Sequence, residues 1–233
     1  MPRGRIPTLG RAGSALCIVT LVTLLFAVSP DAAHSASPSS RTISIAEARS
    51  LPLGTVVTVD GSVTVPSGAC ASSEAPRDQG FAIQDRTGGI FVSVAENLGF
   101  APRQQVRVTG QLADDGFGLL VLTGVTDIKP HGRGPNVQPL PVATGAVGAA
   151  TEGKLVMITG TITQPIANQL PFGFTIAVDD GSGAVDSFVC ASTGIDVTGL
   201  SPGQTIEVTG FSGQFGANFE VDPRFQSDIQ VLP

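Results

Sequence analysis

Val57-Thr-Val-Asp-Gly-Ser-Val63 and Val156-Met-Ile-Thr-Gly-Thr-Ile162 are two forms of one pattern, and its recurrence decides the fold. Three further pairs follow in the same order. Gly80-Phe-Ala-Ile83 matches Gly173-Phe-Thr-Ile176, and Asp85-Arg-Thr-Gly-Gly-Ile90 matches Asp180-Gly-Ser-Gly-Ala-Val185. Val106-Arg-Val-Thr-Gly110 matches Ile206-Glu-Val-Thr-Gly210. The offsets are 99, 93, 95 and 100 residues. A period near 100 is a domain, far longer than the unit of a solenoid.

Each block alternates as a half-buried strand does. Val57, Val59, Val63 and Val65 fall on one face, and Thr58, Asp60, Ser62 and Thr64 on the other. Gly61 interrupts the first long strand and Gly160 its counterpart. Glycine there marks a bulge or bend that lets a strand turn a barrel corner. Asp85–Gly89 and Asp180–Gly183 carry turn chemistry between apolar runs and predict hairpins. Val106–Leu112 and Leu119–Ile128 form a further strand pair around Asp114-Asp115-Gly116, repeated by Ile206–Phe211 and Phe219 onward. The spacers Ala95–Arg103 and Ala191–Gln204 contain Pro102 and Pro202, which leave room for little more than a turn. Ser44–Arg49 has the look of one helical turn. The expected architecture is all-β: two tandem five-stranded OB-like barrels after an N-terminal signal peptide, with another small β-sandwich as the alternative.

The expected boundaries are a signal peptide at 1–36, a first barrel at 43–130, a linker at 131–139 and a second barrel at 140–233. Arg3, Arg5 and Arg11 precede the uncharged apolar run Ala15–Val28, and small residues follow in Ala32-Ala33-His34-Ser35-Ala36. This is the layout of a secretory signal cleaved near Ser35 or Ala36. The run is shorter than the roughly 20 residues of a membrane span; an uncleaved anchor is the alternative. The expected location is secreted, periplasmic or extracellular, with no membrane association after cleavage.

The strings GTVVTVDGSV (54–63), GFAIQDRTGGIFV (80–92) and VRVTG (106–110) resemble OB-like domains of bacterial secreted proteins, often found beside extracellular nuclease or phosphoesterase domains. The resemblance covers residues 43–130 well and 140–232 more loosely. It rests on turns and core positions, so it speaks to fold more than to function. It implies nucleic-acid binding by analogy. This chain departs from that setting in having no nuclease domain.

Charge argues against a dedicated DNA binder. Residues 1–36 carry Arg3, Arg5, Arg11 and Asp31, which leaves 10 basic and 18 acidic residues, net −8, in the remainder. Such a chain gains nothing from general attraction to phosphate backbones. The surplus is uneven: residues 44–135 have a net charge of −2 and residues 136–233 of −7.

The inventory for catalysis is poor. The two histidines are His34, at the expected cleavage region, and His131, in the expected linker. No folded domain is therefore expected to supply a histidine for a nucleophilic triad. Cys70 and Cys190 lack zinc-site spacing, and no phosphate-binding or dinucleotide fingerprint is present. Asp179-Asp180-Gly181-Ser182 reads as a turn rather than a calcium loop. The expectation is a non-enzyme with no cofactor and no metal.

OB barrels bind across their second and third strands and the flanking loops, and single strands need cations and stacking aromatics there. Phe91 is expected to point outward on the third strand, as a stacking ring or, in the alternative, covered by a neighbouring loop or the other domain, and Arg107 outward on the fourth. Arg86 lies in the hairpin, Arg77 in the loop after the first strand and Phe117 in the four-to-five loop. These five residues form the expected ligand site. The second copy has Asp186 at the place of Phe91 and Glu207 at that of Arg107, so the first copy is the candidate. Candidate partners are single-stranded nucleic acid, a glycan, or a protein of the cell envelope. Cys70 and Cys190 survive signal removal and are a candidate disulfide in an oxidising compartment; two buried thiols are the alternative.

Overall fold

The computed structural model describes residues 41–69 and 78–233. The expected signal peptide, Cys70 and Arg77 lie outside the described residues. Among the described residues, fourteen strands fall into two sheets.

The first sheet contains β1 (Thr42–Ile43), β2 (Val56–Val65), β3 (Phe81–Gln84), β4 (Gly89–Val92), β5 (Gln104–Asp114) and β6 (Leu120–Arg133). Its order is β1-β2-β3-β4-β6-β5, and β5 pairs back onto β2. Strands β2 to β6 thus close a five-stranded barrel, with β4 and β6 parallel and the other barrel pairs antiparallel. The second sheet contains β7 (Leu140–Pro141), β8 (Leu155–Ile162), β9 (Ala167–Asn168), β10 (Gly173–Asp179), β11 (Val185–Cys190), β12 (Thr205–Phe215), β13 (Asn218–Asp222) and β14 (Ile229–Val231). Strands β8, β10, β11, β13 and β12 close in the same order, with β11 and β13 parallel. Both barrels have the five-stranded, OB-like arrangement expected from the repeat.

The mid-strand glycines sit where closure requires them. β2 pairs with β5 over Val56–Ser62 and with β3 from Ser62 onward. At the hand-over, a Cβ on Gly61 would lie 3.0 Å from the Ile83 Cβ, and one on Gly160 would lie 2.8 Å from the Asp179 carbonyl carbon. A side chain at either place would push the crossing strand away. The short helix α1 (Ile45–Arg49) realises the expected turn; the Ser44 hydroxyl accepts the Glu47 amide at 3.2 Å. No helix occupies either spacer: Ala191–Thr193 is a single 3-10 turn.

Each barrel has its own apolar core. Val57, Val59, Ile83, Ile90, Val106 and Leu122 belong to the first, and Val156, Ile158, Ile176, Ile206, Val208 and Val221 to the second. Val65 departs from the expected alternation. A register shift between Val63 and Val65 takes its side chain out of the first core. It joins Ala82, Phe91, Leu119, Val121 and Phe211 in a third cluster. That cluster is the seam between the barrels, since Phe211 lies on β12 and the others belong to the first copy.

Residues 39–233 form one compact unit. Arg49 Nη2 donates to Glu152 Oε1 at 2.8 Å, and the Leu120 amide donates to the same oxygen at 3.2 Å. Gln84 Oε1 accepts the Leu155 amide at 2.8 Å, and Arg224 Nη1 donates to the Thr64 carbonyl at 2.7 Å. Gly89 and Gly153 bring the two backbones so close that a Cβ on either would strike the other's carbonyl oxygen, at 1.9 and 2.3 Å.

Part of the expected linker is strand. Lys129, His131 and Arg133 belong to β6, which stays paired with β5 as far as Gln104↔Arg133. Pro130 is tolerated because the ladder shifts register between Gln104 and Val106, next to it.

Candidate functional site

The expected ligand residues end in three separate environments. Phe91 does point away from its own barrel, as its alternation requires, but it is 1% exposed. Its ring meets Phe211 edge-on, with centroids 6.1 Å apart. The expectation of an open stacking ring at Phe91 is therefore corrected: the second barrel covers the outer face of β3 and β4. Phe117 is 37% exposed and stacks on Phe215 at 5.0 Å. Asp114 and Asp115 share its turn, and Asp115 Oδ1 accepts the Phe117 amide at 2.8 Å; a phosphate there would meet carboxylates. Arg86 is exposed in the β3–β4 turn, beside α1. No hydrogen bond, ion pair or ring contact joins any two of Phe91, Phe117, Arg86 and Arg107. Arg77 lies outside the described residues.

Arg107 is the expected residue that lies among other basic groups. It is directly opposite Lys129 on the β5–β6 ladder and opposite Asp60 on the β2–β5 ladder. Asp60 accepts from Arg107 Nε at 3.2 Å, from His131 Nε2 at 2.8 Å and from Gln105 Nε2. It holds the guanidinium by one edge and leaves the two terminal nitrogens unbonded. Lys129 lies over Asp127 at 2.8 Å, with a side chain 68% exposed. Exposed Arg133 ends the strand opposite Gln104, and the next residue, Gly134, donates its amide to the Arg103 carbonyl at 2.6 Å. Arg107, Lys129, Arg133 and Arg103 thus form a run of cations across β5, β6 and the turn before β5. Sequence reasoning singled out only Arg107, because Arg133 fell in the expected linker, Arg103 in the spacer before β5 and Lys129 at the very end of the expected first barrel.

The run leads to a cleft of about 220 Å³ between the barrels. Val63, Thr64 and Arg103 line it from the first copy, Asn136–Pro139 from the connection, and Leu155, Thr209, Arg224 and Phe225 from the second. Arg224 is tied down: Nε and Nη2 donate to the two Asp228 carboxylate oxygens at 2.9 and 3.0 Å. Its guanidinium also lies 5.3 Å from the centre of the Phe225 ring.

The second barrel gathers acid instead. Glu220 lies opposite Asp186 on the β11–β13 ladder and opposite Gly213 on the β12–β13 ladder. A Cβ on Gly213 would lie 2.9 Å from Asp222 Oδ2. Burial, then Asp186, then Asp115 of the first barrel push Glu220 up to about 7. Burial, then Glu220, push Asp222 well above the usual carboxylate range, and its buried Oδ1 has no hydrogen-bond partner. In the β10–β11 turn, Asp179 Oδ1 accepts the Gly181 amide and Asp180 Oδ1 the Ser182 amide, at 2.7 and 2.9 Å. Those are turn roles. Among the described residues, no group of three or more His, Cys, Asp or Glu side chains is placed to hold a metal ion, and no helix is long and apolar enough to cross a membrane. Cys190, at the end of β11, is disulfide-bonded, with its partner outside the described residues.

No protein-family model and no curated protein matches the chain. Among solved structures it is similar to the hypothetical protein ygiW from E. coli, at 22% identity over 41% of this chain and 92% of that one, with a TM-score of 0.31. A murine DNA binding protein bound with double-stranded DNA matches at 14% identity over 71% and 90% of the two chains, with a TM-score of 0.39. A Replication Protein A heterotrimer bound to single-stranded DNA matches at 15% identity over 79% and 51%, with a TM-score of 0.33. At such scores these likenesses carry no argument about this chain's ligand. The strand order of the chain itself supports the conclusion: it is a tandem of two closed, five-stranded OB-like barrels.

Proposed function

We propose that this chain is an exported, non-catalytic binding protein that takes single-stranded nucleic acid along the β5–β6 face of its first barrel. The observation that carries the reading is the run of Arg107, Lys129 and Arg133 on one strand pair, in a chain whose second barrel is strongly acidic. Arginine forks and lysine ammonium groups are the usual partners of backbone phosphates. The reading keeps the first barrel and Arg107 as the ligand site and moves the contact surface away from Phe91. Export rests on the apolar N-terminal run.

Anisotropy of a short labelled single strand, titrated at about 20 mM and about 200 mM salt, tests this. Three phosphate contacts predict that affinity falls on the order of a hundredfold for each tenfold rise in salt. The double variant R107E/K129E is expected to lose binding at low salt with the far-ultraviolet spectrum unchanged. An unmodified protein that binds no strand at low salt refutes the reading, and an anionic oligosaccharide is then the next ligand to titrate.

A second reading is a protein-interaction module of the cell envelope. It draws on Leu170 and Phe172, 55% and 57% exposed in the loop before β10.

Cys70 is the proposed disulfide partner of Cys190. Ala69 packs against the seam cluster, which brings the chain next to position 70 toward the second barrel. The bond would close a loop of roughly 120 residues, the kind for which a cross-link removes most entropy from the unfolded chain. Exported protein denatured without reductant is expected to show no free thiol; two free thiols per chain would refute the pairing.

A further inference from the structure

Resting on the nucleic-acid reading, we infer that the cleft between the barrels is a binding site for one nucleotide unit, its base against Phe225 and its phosphate on Arg103. The argument starts from the internal repeat. Pro102-Arg103-Gln104 occupies the place of Pro202-Gly203-Gln204 in the second copy. The two middle residues make the same contacts. The Arg103 amide donates to the Val63 carbonyl at 3.1 Å and the Gly203 amide to the Ile162 carbonyl at 2.9 Å. Both have left-handed backbones, with φ of 74° and 89°. Glycine adopts that conformation freely, whereas a residue with a Cβ is strained in it. Arg103 is the one non-glycine residue with positive φ among the described residues. The first copy therefore bears a strain that the second avoids, and the backbone gains nothing from it.

What Arg103 adds is its side chain. Among the described residues the guanidinium makes no hydrogen bond or ion pair, although Arg103 lines the cleft. The opposite wall holds Phe225, 40% exposed. The Arg224 guanidinium lies over this ring and is itself held by Asp228, so the ring has a fixed backing. A base on the ring's free area would complete a guanidinium–phenyl–base stack. Asn136 and Gln138 also line the cleft, and the Gln138 side-chain amide donates to the Asn136 carbonyl at 3.4 Å. The cleft also lies where Arg133 and Gly134 deliver the cationic run of β6.

The variants F225A and R103G test the site, with adenosine 5′-monophosphate and a short labelled single strand as probes. R103G restores the residue of the second copy, so it is expected to leave the melting temperature unchanged or raised. F225A is expected to weaken both probes by about fivefold to a hundredfold, the range of one lost base stack. R103G is expected to weaken both by about tenfold, with loss of the salt dependence of the monophosphate. Monophosphate binding lost in both variants, with strand binding absent even in the unmodified protein, would support the cleft as a site for free nucleotide while removing the strand reading. Strand binding that R107E/K129E abolishes but F225A and R103G leave unchanged would overturn the cleft and keep the strand reading. A fall in melting temperature in R103G would also overturn it, because Arg103 would then have a structural part.

Discussion

Replacing Glu220 by glutamine is expected to stabilise the protein at pH 8 by about 3 kcal/mol and to flatten its stability between pH 5 and 8. Glu220 is charged with difficulty in the folded state. It is buried, Asp186 faces it from β11, Asp222 lies two residues along β13, and Asp115 approaches from the β5–β6 turn of the first barrel. The folded protein therefore holds the proton up to about pH 7, whereas the unfolded chain releases it near 4.5. Below pH 4.5 both states are protonated and the stabilisation is fully present. As pH rises through 7 the folded state must accept the charge and that stability is lost. At ~1.4 kcal/mol for each pH unit between 4.5 and 7, the loss reaches about 3 kcal/mol. Glutamine keeps the shape of the protonated acid and removes the titration. Asp222, pushed well above the usual range with an unpartnered Oδ1, should behave alike, so D222N is expected to add to the effect. Urea denaturation at pH 5, 6.5 and 8 measures this. A stability profile that runs parallel in E220Q and the unmodified protein would refute it.

The second large effect is expected at the seam. Truncating Phe211 to alanine should cost about 3–5 kcal/mol, the range for emptying a buried phenylalanine site. Phe211 is 0% exposed and belongs to neither barrel's own core. Its ring meets Phe91, and it shares a buried cluster with Val65, Ala82, Leu119 and Val121 of the first copy, so the cavity would open between the copies. Calorimetry of the unmodified protein is expected to give one transition for both barrels, because the seam ties them into one unit. F211A is expected to lower the melting temperature and split that transition into two. A loss below about 1 kcal/mol with a single transition retained would mean that the seam contributes little.

The cationic run and the acidic patch share one electrostatic logic. Both barrels keep the same backbone plan, yet Arg107 in the first stands where the second has Glu207, and buried Phe91 where the second has Asp186. On the proposed reading, a polyanion would meet less repulsion on the first copy than on the second. The covering of Phe91 removes the outer face of β3 and β4 from ligands for as long as the barrels stay docked.

Much of the molecule was legible in the sequence because it depends on neighbours along the chain. Alternation in Val57–Val63, the turn residues at Asp85–Gly89 and Asp180–Gly183, and the glycines at 61 and 160 specify strands, hairpins and bends by local sterics. Their repetition specifies two barrels. The inward set Ile90 and Val92 and the outward direction of Phe91 followed from the same period of two. One further signal lay in plain view: aligning Pro102-Arg103-Gln104 with Pro202-Gly203-Gln204 would have singled out Arg103. Its meaning depended on a left-handed backbone that only coordinates reveal.

Tertiary structure decided everything that depends on segments brought together from a distance. Alternation places a ring outward on its strand, but whether that ring is open or covered depends on what docks against it. Phe211 lies 120 residues beyond Phe91 in the chain, and no local pattern connects them. His131 and Arg133 fall in a stretch whose proline and glycine favour a linker; the β5 ladder overrides that preference through a register shift. Glu220 holds its proton to higher pH because of its burial first and then because of Asp186 and Asp115, on different strands and different barrels, none of which composition foretells. Local chemistry chose the strands and the closed barrels, while the seam, the cleft and the electrostatics belong to the docking of one barrel on the other.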